Sequence, residues 1–380
     1  MGTTTPPSLL PAERAFLLGA LFHGALDVPR LRALAARPLD WDALLAAAET
    51  HLLGAILFDS IHAAGVAGAV PAPHLERLRA RAVEVATRNA ALLHAAGRAS
   101  RLLAAAGIEA LVLKGTALAI HAPRYFGVRH QSDVDLLVAP ARIWAAARTL
   151  LEGGFTPAPA YADHLGLDGR SPFAEGSPLP PGHQLLPLVS PEGANIELHF
   201  ELPGRLPPAA LAAVLADPVA GPGGVRVSGP DALLGLLCAH VHGHHEREPA
   251  FLLRHVADVV ALQAVGASLE RARPAFGPSV DVSRRLVEEA RRAVTEPGGT
   301  MGLAEAALAG GPWGAAALAT AWRVSFRARW RAALDGGLQA LFPSPRYMAQ
   351  RYGVGLRSPL LPLTYPWRFI SALGRALLGR

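Results

Sequence analysis

The sequence predicts an α+β protein: a small mixed β-sheet core flanked by N-terminal and C-terminal helical regions. Three observations carry this. Residues 9 to about 106 show apolar positions at helical spacing, the period shortens to that of strands between about 108 and 202, and helical patterns return from residue 229 to the end. The expected division is 1–106, 107–228 and 229–380. At 380 residues the chain is long enough for such a core, and 51% of it is hydrophobic, which excludes a disordered chain.

In the N-terminal region, "DWDALLAAAETHLLGAILFDSIHAAG" (40–65) reads as helical with Asp40 placed as its cap, and the long amphipathic stretch 73–107 stops at Gly107. "IEALVLKG" (108–115) is a short apolar run that reads as a buried strand turning into the helix "TALAIHA". "SDVDLLVAP" (132–140) is a second strand and 141–154 a helix ending at paired glycines. A loop rich in Pro, Gly and Asp follows over about 156–182. "QLLPLVS" and "ANIELHFEL" (194–202) are strands around the turn "PEG".

The chemistry concentrates on these strands. Residues two apart in a strand share a face, so Asp133 and Asp135 project together while Val134 and Leu136 point into a core. Paired carboxylates are costly to bury without a cation between them, and hard oxygen ligands suit Mg²⁺ or Mn²⁺. In "ANIELHFEL", Asn195, Glu197, His199 and Glu201 share the polar face, which offers Glu197 as a third carboxylate. Three carboxylates on neighbouring strands are what two-metal phosphoryl and nucleotidyl transfer requires. Solvated strand faces explain the same alternation, and spacing alone does not separate the two readings.

Of the 36 Lys+Arg residues, Lys114 is the only lysine. It stands in Lys114-Gly115-Thr116, where a strand turns into a helix and presents backbone N–H groups and a positive helix end to an anion. Gly115 lets a phosphate approach and Thr116 caps the helix or touches an oxygen. A compact ammonium suits a phosphate pocket, whereas a guanidinium favours a planar two-pronged partner. Arg129, four residues before Asp133, is placed to brace the carboxylates or hold a phosphate.

Strand–"KG"–helix, then "SDVDLLV", then "IELHFEL" resemble the uncharacterised nucleotidyltransferase family of bacteria, within the minimal nucleotidyltransferase and DNA polymerase β superfamily. "DWDALLAAAETH", "LLGLLCAHVHGHH" and "LFPSPRYMAQRYG" resemble it too, so the likeness covers most of the chain. The superfamily pattern maps onto Gly115-Thr116, Asp133, Asp135 and Glu197. Threonine stands where serine is usual, and the gap from Gly115 to Asp133 is longer than in the smallest members. The resemblance implies metal-dependent transfer of a nucleoside monophosphate from an NTP, ATP first, to a hydroxyl or phosphate acceptor with release of pyrophosphate. A catalytically silent nucleotide- or partner-binding module of the same fold is the alternative.

His240 and His244 are four apart on one helical face, a zinc-compatible spacing without an intervening Glu, and are read as pocket-lining with His199. The net charge of +6 favours anionic partners, but the arginines form no nucleic-acid stripe. The tail "YPWRFISALGRALLGR" sets Phe369, Ile370, Leu373 and Leu377 opposite Arg368, Arg375 and Arg380, to dock on its own domain or touch an anionic membrane. One cysteine, no signal-peptide pattern and no long apolar run lead to the expectation of a cytoplasmic protein.

Overall fold

A computed structural model of the chain describes residues 9–22, 25–158, 179, 183–185, 187–202, 206–244, 249–296 and 362. The loop read at 156–182, the "LFPSPRYMAQRYG" stretch and the C-terminal tail lie largely or wholly outside these residues. Contacts divide the chain into two units, residues 1–158 with 173–322 and residues 159–172 with 323–380, and all described residues except Pro362 belong to the first.

That unit is built on a mixed seven-stranded sheet of order β3-β4-β5-β2-β1-β7-β6. The strands are β1 Ala110–Val112, β2 Asp133–Val138, β3 Thr156–Pro157, β4 Leu188–Val189, β5 Asn195–His199, β6 Val219–Ala220 and β7 Arg226–Val227. β1 pairs antiparallel with β2, and β2 pairs parallel with β5. Val134, Leu136, Ile196 and Leu198 are all at most 1% exposed, so the apolar alternation of both strands enters one core.

The N-terminal helices are set by local capping. Asp27 and Asp40 accept the Arg30 and Ala43 backbone N–H groups, each at 3.0 Å. The stretch 40–65 is two helices, Trp41–Thr50 and Gly54–Ala64, rather than one. The break is a Schellman turn: the Leu53 N–H bonds the Ala48 carbonyl at 2.7 Å, with Leu52 in the left-handed region at φ +58°. The left-handed position is a leucine rather than a glycine. The strain, about 1–3 kcal/mol, is offset by the complete burial of Leu53.

The helix Ala72–Ala105 has Pro73 in its first turn and ends before Gly107, at φ +66°. Halfway along it, the buried Asn89 donates to the carbonyls of Phe126 and Arg129, the latter at 2.8 Å, and so fixes the segment leading into β2. The helix Ile143–Glu152 buries Ile143, Ala146, Ala147 and Leu150 at helical spacing, against the long helix and β5.

On the C-terminal side, Pro230–His244, Pro249–Ala264, Leu269–Phe276 and Pro278–Thr295 pack together, and the last also meets the N-terminal helix Pro11–Ala20. Gly235 permits the contact between Pro230–His244 and Leu269–Phe276, because a Cβ there would come within 2.1 Å of the Phe276 ring. One continuous cluster of buried apolar side chains runs from the N-terminal helices through the sheet into these four. No single helix among the described residues is long and apolar enough to cross a membrane.

Candidate active site

The parallel pairing of β2 with β5 sets Asp133 beside Asn195, Asp135 beside Glu197 and Leu137 beside His199. Side chains in register on neighbouring strands point the same way, so Asp133, Asp135 and Glu197 share a face with His199. Asp135 is 3% exposed and His199 wholly buried, whereas Glu197 is partly open to solvent. One oxygen, Asp135 Oδ1, accepts from Lys114 Nζ at 2.6 Å and from His199 Nε2 at 2.7 Å. His199 Nε2 also lies 3.6 Å from Glu197 Oε2.

Electrostatics follow from this crowding. Burial opposes the charge on Asp135, but the Lys114 ammonium and the His199 hydrogen bond outweigh it and hold the carboxyl below its usual range. Asp133 receives no such compensation. Burial, then the charges of Asp135 and Glu197, push it up to about 6, against weaker opposition from the Ser132 hydroxyl and Lys114. Burial works against the charged forms of Lys114 and His199, and the neighbouring carboxylates still raise both above their ordinary values.

Lys114 opens the helix Lys114–His121 with its backbone in the left-handed region, φ +47°, and no side chain caps that helix. Gly115 is needed for space: a Cβ would fall 2.2 Å from Gln131 Oε1 and 2.4 Å from Arg129 Nη1. The Thr116 hydroxyl is buried and donates to the backbone carbonyl of Asp133 at 3.3 Å, tying the turn to β2.

Arg129 packs against this turn with its guanidinium held by Asp258. Its Nε and Nη2 donate to the two oxygens of Asp258 at 2.6 and 2.9 Å, and Tyr125 adds a hydrogen bond to Oδ1 at 2.7 Å. Arg254 joins this patch by donating to the His130 carbonyl at 3.1 Å. His240 sits half-buried on the helix Pro230–His244 and enters no metal-like group among the described residues; the side chain of His244 is outside them.

Two of the structural relations had no counterpart in the sequence reading. His199 joins Asp135 and Glu197 in a group whose ligand atoms all lie within 4.8 Å of one another, while Asp133 stands beside that group. The alternation that put His199 and Glu197 on one face was the available signal. Asp258, more than a hundred residues from Arg129, had none.

The donor set fits a divalent metal. A spread of 4.8 Å matches ligands about 2.0–2.4 Å from a common centre. His199 Nδ1 is buried with no hydrogen-bond partner among the described residues, so Nε2 is the ring atom at the site, and to ligate a metal it would give up the proton it donates to Asp135.

The fold is α+β, with three carboxylates and a histidine on adjoining strands, two of the carboxylates and the histidine in a group that could hold a divalent metal, beside an uncapped strand-to-helix turn. The match is to a family model described as uncharacterised nucleotidyltransferase, over residues 37–272, and the chain belongs to that family. That span holds the sheet, the Lys114–Thr116 turn and every site residue named here. No curated protein and no solved structure matches the chain.

Proposed function

We propose that the protein transfers a nucleoside monophosphate from an NTP, ATP first, to a hydroxyl or phosphate acceptor, in a reaction that depends on Mg²⁺ or Mn²⁺. The observation that carries this reading is the register of β2 with β5, which sets Asp135 against Glu197 and Asp133 on the same face, next to the Lys114–Thr116 turn.

In this scheme Asp135, Glu197 and His199 would hold a divalent ion, with Asp133 on the same face of the sheet. A bound ion would supply charge neutralisation for the triphosphate and for the attacking and leaving oxygens. The uncapped N–H groups after Lys114 receive phosphate oxygens, and Gly115 keeps the turn close to Arg129 and Gln131. The acceptor oxygen attacks the α-phosphorus, the bond to the β-phosphate oxygen breaks, and pyrophosphate leaves. Asp133, on the same face but outside the metal-like group, would take the acceptor's proton. Arg129 acts from beneath, through Asp258, as a positioning residue.

The test is a calorimetric titration of each NTP with and without Mg²⁺ or Mn²⁺, followed by an assay of pyrophosphate release across acceptor classes. Metal-dependent binding that is lost in Glu197→Gln supports the reading. Its absence from the wild-type protein would sink it. The occupation of Asp135 Oδ1 by both Lys114 and His199 favours a second reading, a silent nucleotide-binding module. That module would bind an NTP and release no pyrophosphate with any acceptor.

A further inference from the structure

We propose that Lys114 is a resident cation that holds the metal's place on Asp135, so that metal and nucleotide bind tightly only together. This rests on the NTP reading above and adds an order of events to it. Asp135 is 3% exposed and faces Glu197, with Asp133 two residues away on the same face of β2. A bare carboxylate in that position is costly, and Lys114 Nζ at 2.6 Å supplies the missing positive charge. Asp135 belongs to the group of residues that could hold a metal, and the oxygen the lysine holds, Oδ1, lies 2.7 Å from His199, another member of that group. Ammonium and metal therefore compete for one carboxylate.

The turn is built for the lysine to leave. The left-handed backbone at Lys114 sends the side chain back across β2 to Asp135, while the same residue begins the uncapped helix at which a phosphate would sit. A flexible four-carbon stem can swing its charge from carboxylate to phosphate. An arginine at 114 would grip both oxygens of Asp135 in a fixed fork and release them poorly. This accounts for the one lysine in a chain that otherwise uses arginine throughout.

The experiment is a calorimetric titration of Mn²⁺ into the full chain, alone and with a non-hydrolysable α,β-methylene analogue of ATP. The wild-type protein is expected to bind Mn²⁺ at least tenfold more tightly with the analogue than without it. Lys114→Met should bind Mn²⁺ alone at least tenfold more tightly than wild type and gain little from the analogue. Lys114→Arg should bind Mn²⁺ more weakly than wild type in both conditions. A merely structural lysine would not move the two variants in opposite directions. If Lys114→Met does not fold, Lys114→Gly removes the same charge and suits the left-handed backbone. An unchanged or weaker Mn²⁺ affinity in the neutral variant, with wild-type coupling to nucleotide intact, overturns the placeholder and leaves the NTP reading standing. Failure of the wild-type protein to bind Mn²⁺ even with the analogue overturns both.

Discussion

Replacing Asp133 with asparagine is expected to make the metal-free protein more stable near neutral pH. The carboxyl is raised from 3.8 to about 6 by burial and by the charges of Asp135 and Glu197, a cost to the ionised form. Two pH units at about 1.4 kcal/mol each come to roughly 3 kcal/mol at most. The sign follows from the folded value lying above the unfolded one. This stabilisation is complete below pH 3.8 and is lost as the pH rises through about 6, so above it the charged Asp133 carries its full cost. Asparagine keeps the size and can still meet the Ser132 hydroxyl, which now lies 3.0 Å from Asp133 Oδ2. With an unfolding entropy of about 2.1 cal/mol/K per residue, the gain corresponds to a melting temperature roughly 2–4 °C higher. The assay is thermal unfolding of both proteins in chelator, at pH 7.5 and at pH 4. The reasoning predicts a clear difference at pH 7.5 that vanishes at pH 4. A variant less stable at pH 7.5, or an offset equal at both pH values, would refute it. Sites that must receive a cation commonly carry such a cost, because selection acts on function above a threshold of stability.

Two further perturbations test the support beneath the turn. Asp258→Ala strands the buried Arg129 guanidinium and should cost about 3–5 kcal/mol, read as a lower midpoint in urea unfolding; an unchanged midpoint would remove Asp258 as the anchor. Gly115→Ala drives a methyl group into Gln131 and Arg129 and should cost about 1–3 kcal/mol, with nucleotide affinity falling in parallel; normal stability and affinity would show that the turn yields freely.

The strands and the carboxylates on them were legible because both depend on local geometry. A period of two puts Asp133 with Asp135, and Glu197 with His199, whatever else the chain does. The cap at Asp40 and the stop at Gly107 are local in the same sense. The turn at Leu52 was not legible, because a leucine there tolerates a left-handed backbone only through the burial of its neighbour.

The relations across the chain belong to the tertiary structure. Which strand would lie beside β2, and in which register, decided that Asp135 meets Glu197 and that His199 turns its Nε2 to the same oxygen as Lys114. The Arg129–Asp258 pair joins a segment just before β2 to a helix near the end of the described chain. Sequence by itself determined the chemical inventory and the face on which each local group stands. The partners came from long-range closure, in which distant segments are brought together by burying a shared core, and the pattern of any single segment does not encode which distant side chain arrives.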